Sequence, residues 1–248
     1  MELFDSLSAA QIAIVMAAAF AAAFVRGLAG FGLALLLVPV LALAMMPVEA
    51  VMIANFLMLF IGLLEIRTLI RDAERSAWVI GGLVVLTTAP GLLLLMITPP
   101  DLARLLIALV ALGAFGLFML PERPADQPGP VQTGATGVAA GLLTGFAGMP
   151  GPPVVPYYVG RAIPRTVAKP SMLLIFSIAS AAAIVSGFAL GQITTRLFVL
   201  SLVLMPAIIL GNWVGAKAFG KVSDAAWRIF AGAVLTLAAA TALLRVLS

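Results

Sequence analysis

Apolar residues fill this chain in long runs, and polar residues fall almost wholly between them. The runs cover 9–25, 33–46, 48–70, 77–97 and 101–120, then 132–148, 150–160, 168–190, 195–215 and 223–247. Each long run meets the length of about 20 residues that a membrane-spanning helix needs. The punctuation is specific. Pro47, the charged loop 67–75 and Thr98-Pro99-Pro100 separate the runs of the first half. The one polar, proline-rich stretch, 121–131, divides the halves. The pattern predicts an all-α, polytopic membrane protein with a first transmembrane repeat over 1–120, a cytoplasmic linker over 121–131 and a second repeat over 132–248.

Two glycine-rich breaks organise the halves. Arg26-Gly27-Leu28-Ala29-Gly30-Phe31-Gly32 lies between the first two runs, and Thr144-Gly145-Phe146-Ala147-Gly148-Met149-Pro150-Gly151 lies at the matching place in the second half. Gly27, Ala29 and Gly30 align with Gly145, Ala147 and Gly148. Pro47 corresponds to Pro164, about 117 positions on, and Asp101–Arg104 resembles Asp224–Arg228. This shared order predicts a duplication, each copy a broken hairpin followed by three transmembrane helices. Each half has an odd number of crossings whether its hairpin spans twice or is re-entrant. The halves are therefore expected to insert with opposite orientation, as inverted repeats that meet at a midplane substrate site. Basic residues agree with that topology. Arg67, Arg71, Arg75, Arg161, Lys169 and Lys217 are among ten on one predicted face, against Arg104, Arg196 and Arg245 on the other. The crowded face reads as cytoplasmic, which puts both termini on the outer, periplasmic side of a cell inner membrane.

Composition narrows the chemistry. The 248 residues are 63% hydrophobic and only 10% charged, with a mean hydropathy of +1.21, far too apolar for a water-facing surface. The pI near 10.1 comes from short loops rather than one basic patch, so no nucleic-acid partner is expected. Cysteine and histidine are both absent, which removes disulfides, Cys or His metal sites and His-dependent triads. No cofactor is implied. Run 9–25 follows Glu2 and Asp5 and no basic residue, so it reads as a retained helix rather than a signal peptide.

The candidate chemistry lies at the breaks. Glycine lets a ligand approach bare backbone N–H groups, and a helix starting after a break aims its positive end at that ligand. The expected substrate-binding set is Arg26, Gly27, Gly30, Phe31, Gly32, Thr144, Gly145, Gly148, Met149, Gly151, Lys169 and Ser171. Each has a plainer alternative. Gly141/Gly145 and Gly211/Gly215 are G-x-x-x-G pairs that suit close helix packing. Arg26 either faces a cavity or snorkels to the interface, and Lys169 either donates to an anion or only marks the cytoplasmic side. Gly215–Lys221 fits the spacing of a phosphate loop, but Val222 stands where a Ser or Thr would hold magnesium, and a membrane helix precedes it. The acidic residues all fall at run ends or in loops. No acid–base cluster suggests an enzyme. The reading is a transporter of a small anion, with a passive channel or a membrane-embedded enzyme or assembly subunit as alternatives, and homo-oligomer formation left open. A cell interior negative by 100 mV would drive each exported negative charge with about 2.3 kcal/mol.

The paired glycine breaks, the Pro47 and Pro164 helix starts and the length resemble the sulfite exporter TauE/SafE family of membrane permeases, across essentially the whole chain. The resemblance implies a duplicated helical transporter of sulfur-containing anions such as sulfite, sulfonates or sulfoacetate, with other organic anions open. It rests on Gly27, Ala29 and Gly30 in one half and Gly145, Ala147 and Gly148 in the other. Family members often carry denser glycine runs. Phe31, Met149 and Pro150 interrupt them here, which reshapes the pocket.

Overall fold

The computed structural model describes residues 9–29, 31–119, 128–159, 161, 163–218 and 224–247. Among these, ten helices account for almost everything and no strand forms. The first half holds α1 (Ala9–Ala29), α2 (Leu33–Ala44), α3 (Pro47–Asp72), α4 (Arg75–Ile97) and α5 (Pro100–Met119). The second holds α6 (Pro130–Ala147), α7 (Gly151–Val159), α8 (Arg165–Ala189), α9 (Thr195–Ala218) and α10 (Asp224–Leu247). Five of them, α3, α4, α5, α8 and α9, are long and apolar enough to cross a bilayer. The protein is an all-helical, multi-pass membrane protein.

Local chemistry sets the boundaries. Pro47 starts α3 at the one position where a missing N–H costs nothing, and Glu49 accepts a hydrogen bond from the Met46 N–H at 3.2 Å. The first break is narrower than the sequence suggests. α1 continues through Arg26 and Gly27 to Ala29, because Gly27 is held inside a helix crossing. Gly32, at φ 103°, then turns the chain into α2. In the second half Gly148, at φ 69°, ends α6 and receives Leu143 and Thr144 as acceptors for its N–H. At about 1.5 Å per residue, the 12 residues of α2 and the 9 of α7 are too short to cross a core of about 30 Å.

The halves interlock. α1 packs on α9, α6 on α4, α3 on α8 and α5 on α10. Exchanging the two sets of five helices turns the first pair into the second and leaves the other two unchanged. Glycines make the tightest crossings. A Cβ on Gly211 or Gly215 would overlap the carbonyls of Phe20 and Phe24, and one on Gly27 that of Asn212. The other pair matches, with Gly141 against Val84 and Gly145 against Thr88 and Leu92. These contacts advance together along both chains, so α1 runs parallel to α9 and α6 to α4. Between α3 and α8, Gly62 meets Ser177 and Gly187 meets Met52, so these two run antiparallel.

Candidate anion site

Both breaks open onto one cavity. It is lined by Arg26, by Phe31 to Leu35 at the start of α2, by Met149 to Pro152 at the start of α7, and by Met58, Phe118 and Phe176. Met58 and Phe176 lie midway along α3 and α8. The lining is paired. Phe31 and Met149, Gly32 and Pro150, Leu33 and Gly151, Ala34 and Pro152, and Met58 and Phe176 each stand 118 positions apart. The cavity therefore straddles the relation between the two halves.

Its volume is about 40 Å³, against roughly 10–15 Å³ for a single water. That admits a compact ion of a few heavy atoms. Most of the wall is apolar, with Phe31 edge-on to Phe118 at 4.9 Å between ring centres. One charge enters it. Arg26 sits in the last turn of α1 and donates from Nη1 to Asn212 Oδ1 on α9 at 2.8 Å. Asn212 is neutral, and among the described residues no carboxylate lies within ion-pair distance of Arg26. Glu65 of α3 is near enough to act on Arg26 through space, so the guanidinium brings into an apolar hollow a positive charge offset at a distance rather than by a contact ion pair, and an anion is a natural complement for it.

Of the expected site residues, the fold brings Arg26, Phe31, Gly32, Met149 and Gly151 to this cavity. Gly148 shapes the second break without lining the cavity. Gly27 and Gly145 lie instead in the α1–α9 and α6–α4 crossings. Thr144 is buried and bonds back to Ala140 O at 2.6 Å. Ser171 donates to Val167 O at 2.7 Å and accepts the Glu74 N–H at 2.8 Å, which fastens the α3–α4 corner. Lys169 is exposed. Gly30 lies outside the described residues. Met58, Phe118 and Phe176 were not anticipated. For Met58 and Phe176 the usable signal was their spacing, which repeats that of the breaks.

The far end of α7 is pinned separately. Arg161 meets both carboxylate oxygens of Glu74 at 3.0 Å and lies over the rings of Tyr157 and Tyr158, at 5.4 and 5.7 Å from their centres. The far end of α2 is held by Arg104, which donates to Ala42 O at 2.7 Å and Met45 O at 3.3 Å. With their C-terminal ends anchored, the two half-helices present their starts to the cavity. Among the described residues, no group of three or more His, Cys, Asp or Glu could hold a metal ion.

No curated protein and no solved structure matches the chain. A family model does, over residues 15–242, nearly the whole length, and its description is sulfite exporter TauE/SafE. With that coverage joined to a helical membrane fold, the chain belongs to the sulfite exporter TauE/SafE family of membrane transporters.

Proposed function

We propose that this protein exports small sulfur-containing or organic anions, sulfite and sulfonates foremost, by alternating access around the cavity between the two breaks. The observation that carries this reading is Arg26, a cation reaching an apolar hollow with the neutral Asn212 amide as its hydrogen-bond partner and no carboxylate in contact, Glu65 acting on it only through space. The N-terminal end of α7 adds the Gly151 N–H and a positive dipole end on the other side, while Pro150, Pro152 and Pro153 carry no N–H. The antiparallel course of α3 and α8 and the exchangeable packing of the halves support an inverted repeat. That architecture suits a carrier whose central site opens to either face in turn. Export follows the inside-negative membrane potential, worth about 2.3 kcal/mol per charge at 100 mV. The same reading puts the protein in the cell inner membrane with both termini outside, because basic residues crowd the opposite face.

The test is flux from proteoliposomes loaded with sulfite, sulfonates or carboxylates. Saturable release of sulfite or a sulfonate that speeds up when the interior is made negative is the expected result. Release that never saturates would make the protein a channel, and no release of any anion would sink the reading.

A further inference from the structure

The cavity offers a guest one compensating charge. Among its lining residues Arg26 alone is charged, and Phe31, Met58, Phe118, Met149 and Phe176 make the rest of the wall mostly apolar. The second break adds little, because Pro150 and Pro152 have no N–H to give. A singly charged anion seated here is matched by the guanidinium. The second charge of a dianion would face apolar side chains with no cation of its own, and an unpaired charge in such surroundings is costly.

A carboxylate sharpens this limit. Glu65 follows Met58 by seven residues on α3, so the two share one face of the helix, about 10 Å apart along its axis. That face is the inward one. Ile61, Gly62 and Leu69, a turn to either side of Glu65, are buried, whereas Arg67, Thr68, Ile70 and Arg71 are exposed. Glu65 is itself half-buried, and among the described residues it has no contact ion pair. The antiparallel register that sets Gly62 against Ser177 places Leu174 of α8 level with it, a buried apolar residue. Its charge reaches Arg26 through space. Neither charge recurs in the second half, where Thr144 and Ala183 stand 118 positions on from Arg26 and Glu65. The pair belongs to the first half alone.

We infer that Glu65 is the charge filter of the anion site: opposite the lone cation Arg26, it holds the cavity to monoanions, such as hydrogensulfite and simple sulfonates, and turns away dianions, such as sulfate and fully deprotonated sulfite. This rests on the anion reading above and names the substrate class within it. Arg26 attracts any anion, while Glu65 opposes each unit of negative charge the guest carries. For charges about 10 Å apart in surroundings of effective dielectric about 20, that opposition is worth roughly 10- to 20-fold in affinity per unit of charge. A dianion therefore meets the repulsion twice and finds only one cation.

Methanesulfonate and sulfate test this directly. Both are tetrahedral about sulfur and close in size, neither changes protonation near neutral pH, and they differ by a single negative charge. Their affinities are measured on the purified full chain in detergent at constant ionic strength, with sulfite as the reference. The parent protein should bind methanesulfonate about tenfold or more tightly than sulfate. Glu65→Gln, which keeps the size and removes the charge, should strengthen sulfate binding the more and shrink that ratio by roughly 10- to 20-fold. Glu65→Asp should preserve it. A parent that binds sulfate as tightly as methanesulfonate overturns the inference, whether or not the variants fold. So does a ratio left unchanged in Glu65→Gln, or an equal loss of both anions in Glu65→Gln and Glu65→Asp, which would mark a structural role. If the parent binds none of the three anions, the anion reading falls and this inference with it. If it binds sulfite but not methanesulfonate, shape rather than charge selects, and the inference alone falls.

Discussion

The two breaks occupy equivalent places and are built differently. The first turns through Gly32, at the start of α2, and is flanked by Arg26, a long cationic side chain. The second turns through Gly148, at the end of α6, and is followed by Pro150, Pro152 and Pro153 with no charge nearby in sequence. Proline removes donors and stiffens the chain. One break therefore carries the electrostatics, and the other has a more rigid backbone. The shared scaffold fixes where the cavity lies, and the unshared residues decide what it attracts.

This contrast can be broken at three depths. The largest effect is expected where the scaffold itself is shared. Gly145→Leu places a side chain on the backbone of Thr88 and Leu92, which cannot rotate aside. Overpacking typically costs about 1–3 kcal/mol, and this crossing should reach or exceed the top of that range. Thermal melting in detergent would show it. A variant that melts like the parent would mean that the crossing is looser than described.

The next effect separates the breaks. Arg26→Gln removes the cavity's cation and should weaken anion affinity by roughly 10- to 150-fold, from about 1.5–3 kcal/mol for a hydrogen bond to a charged group. Thr144→Val, at the matching position, should change affinity less than about twofold, because its hydroxyl is already committed to Ala140 O. Equal losses in the two variants would erase the proposed asymmetry. Smallest of all, Lys169→Gln alters an exposed side chain away from the cavity. It should leave sulfite flux within about twofold and stability within about 0.5 kcal/mol. A tenfold loss of flux would bring Lys169 back as a ligand.

The run boundaries, and so the helices, were legible in the sequence, because a bilayer demands continuous apolar stretches and proline and glycine end them visibly. The site was legible only in part. A missing Cβ serves a ligand and a neighbouring helix equally well, and nothing local in sequence told Gly27 and Gly145, which fit helices together, from Gly32 and Gly151, which face the cavity. Thr144 and Ser171 look like ligands until their hydroxyls are seen to be bonded to the preceding turn. Met58 and Phe176 went unread because an apolar residue in an apolar helix resembles any other core residue. Arg26 stood out because a charge between two apolar runs is costly without a purpose.

The partnership of α1 with α9 and of α6 with α4 has a consequence for heredity as well as for motion. On the inverted-repeat reading proposed above, a gene encoding only one of the two halves would yield a protein with its glycine grooves bare to lipid, and a second molecule inserted upside down would fill them. The same swapped embrace means that neither copy can swing as a block. Whatever opens the cavity must draw its moving body from both ends of the chain.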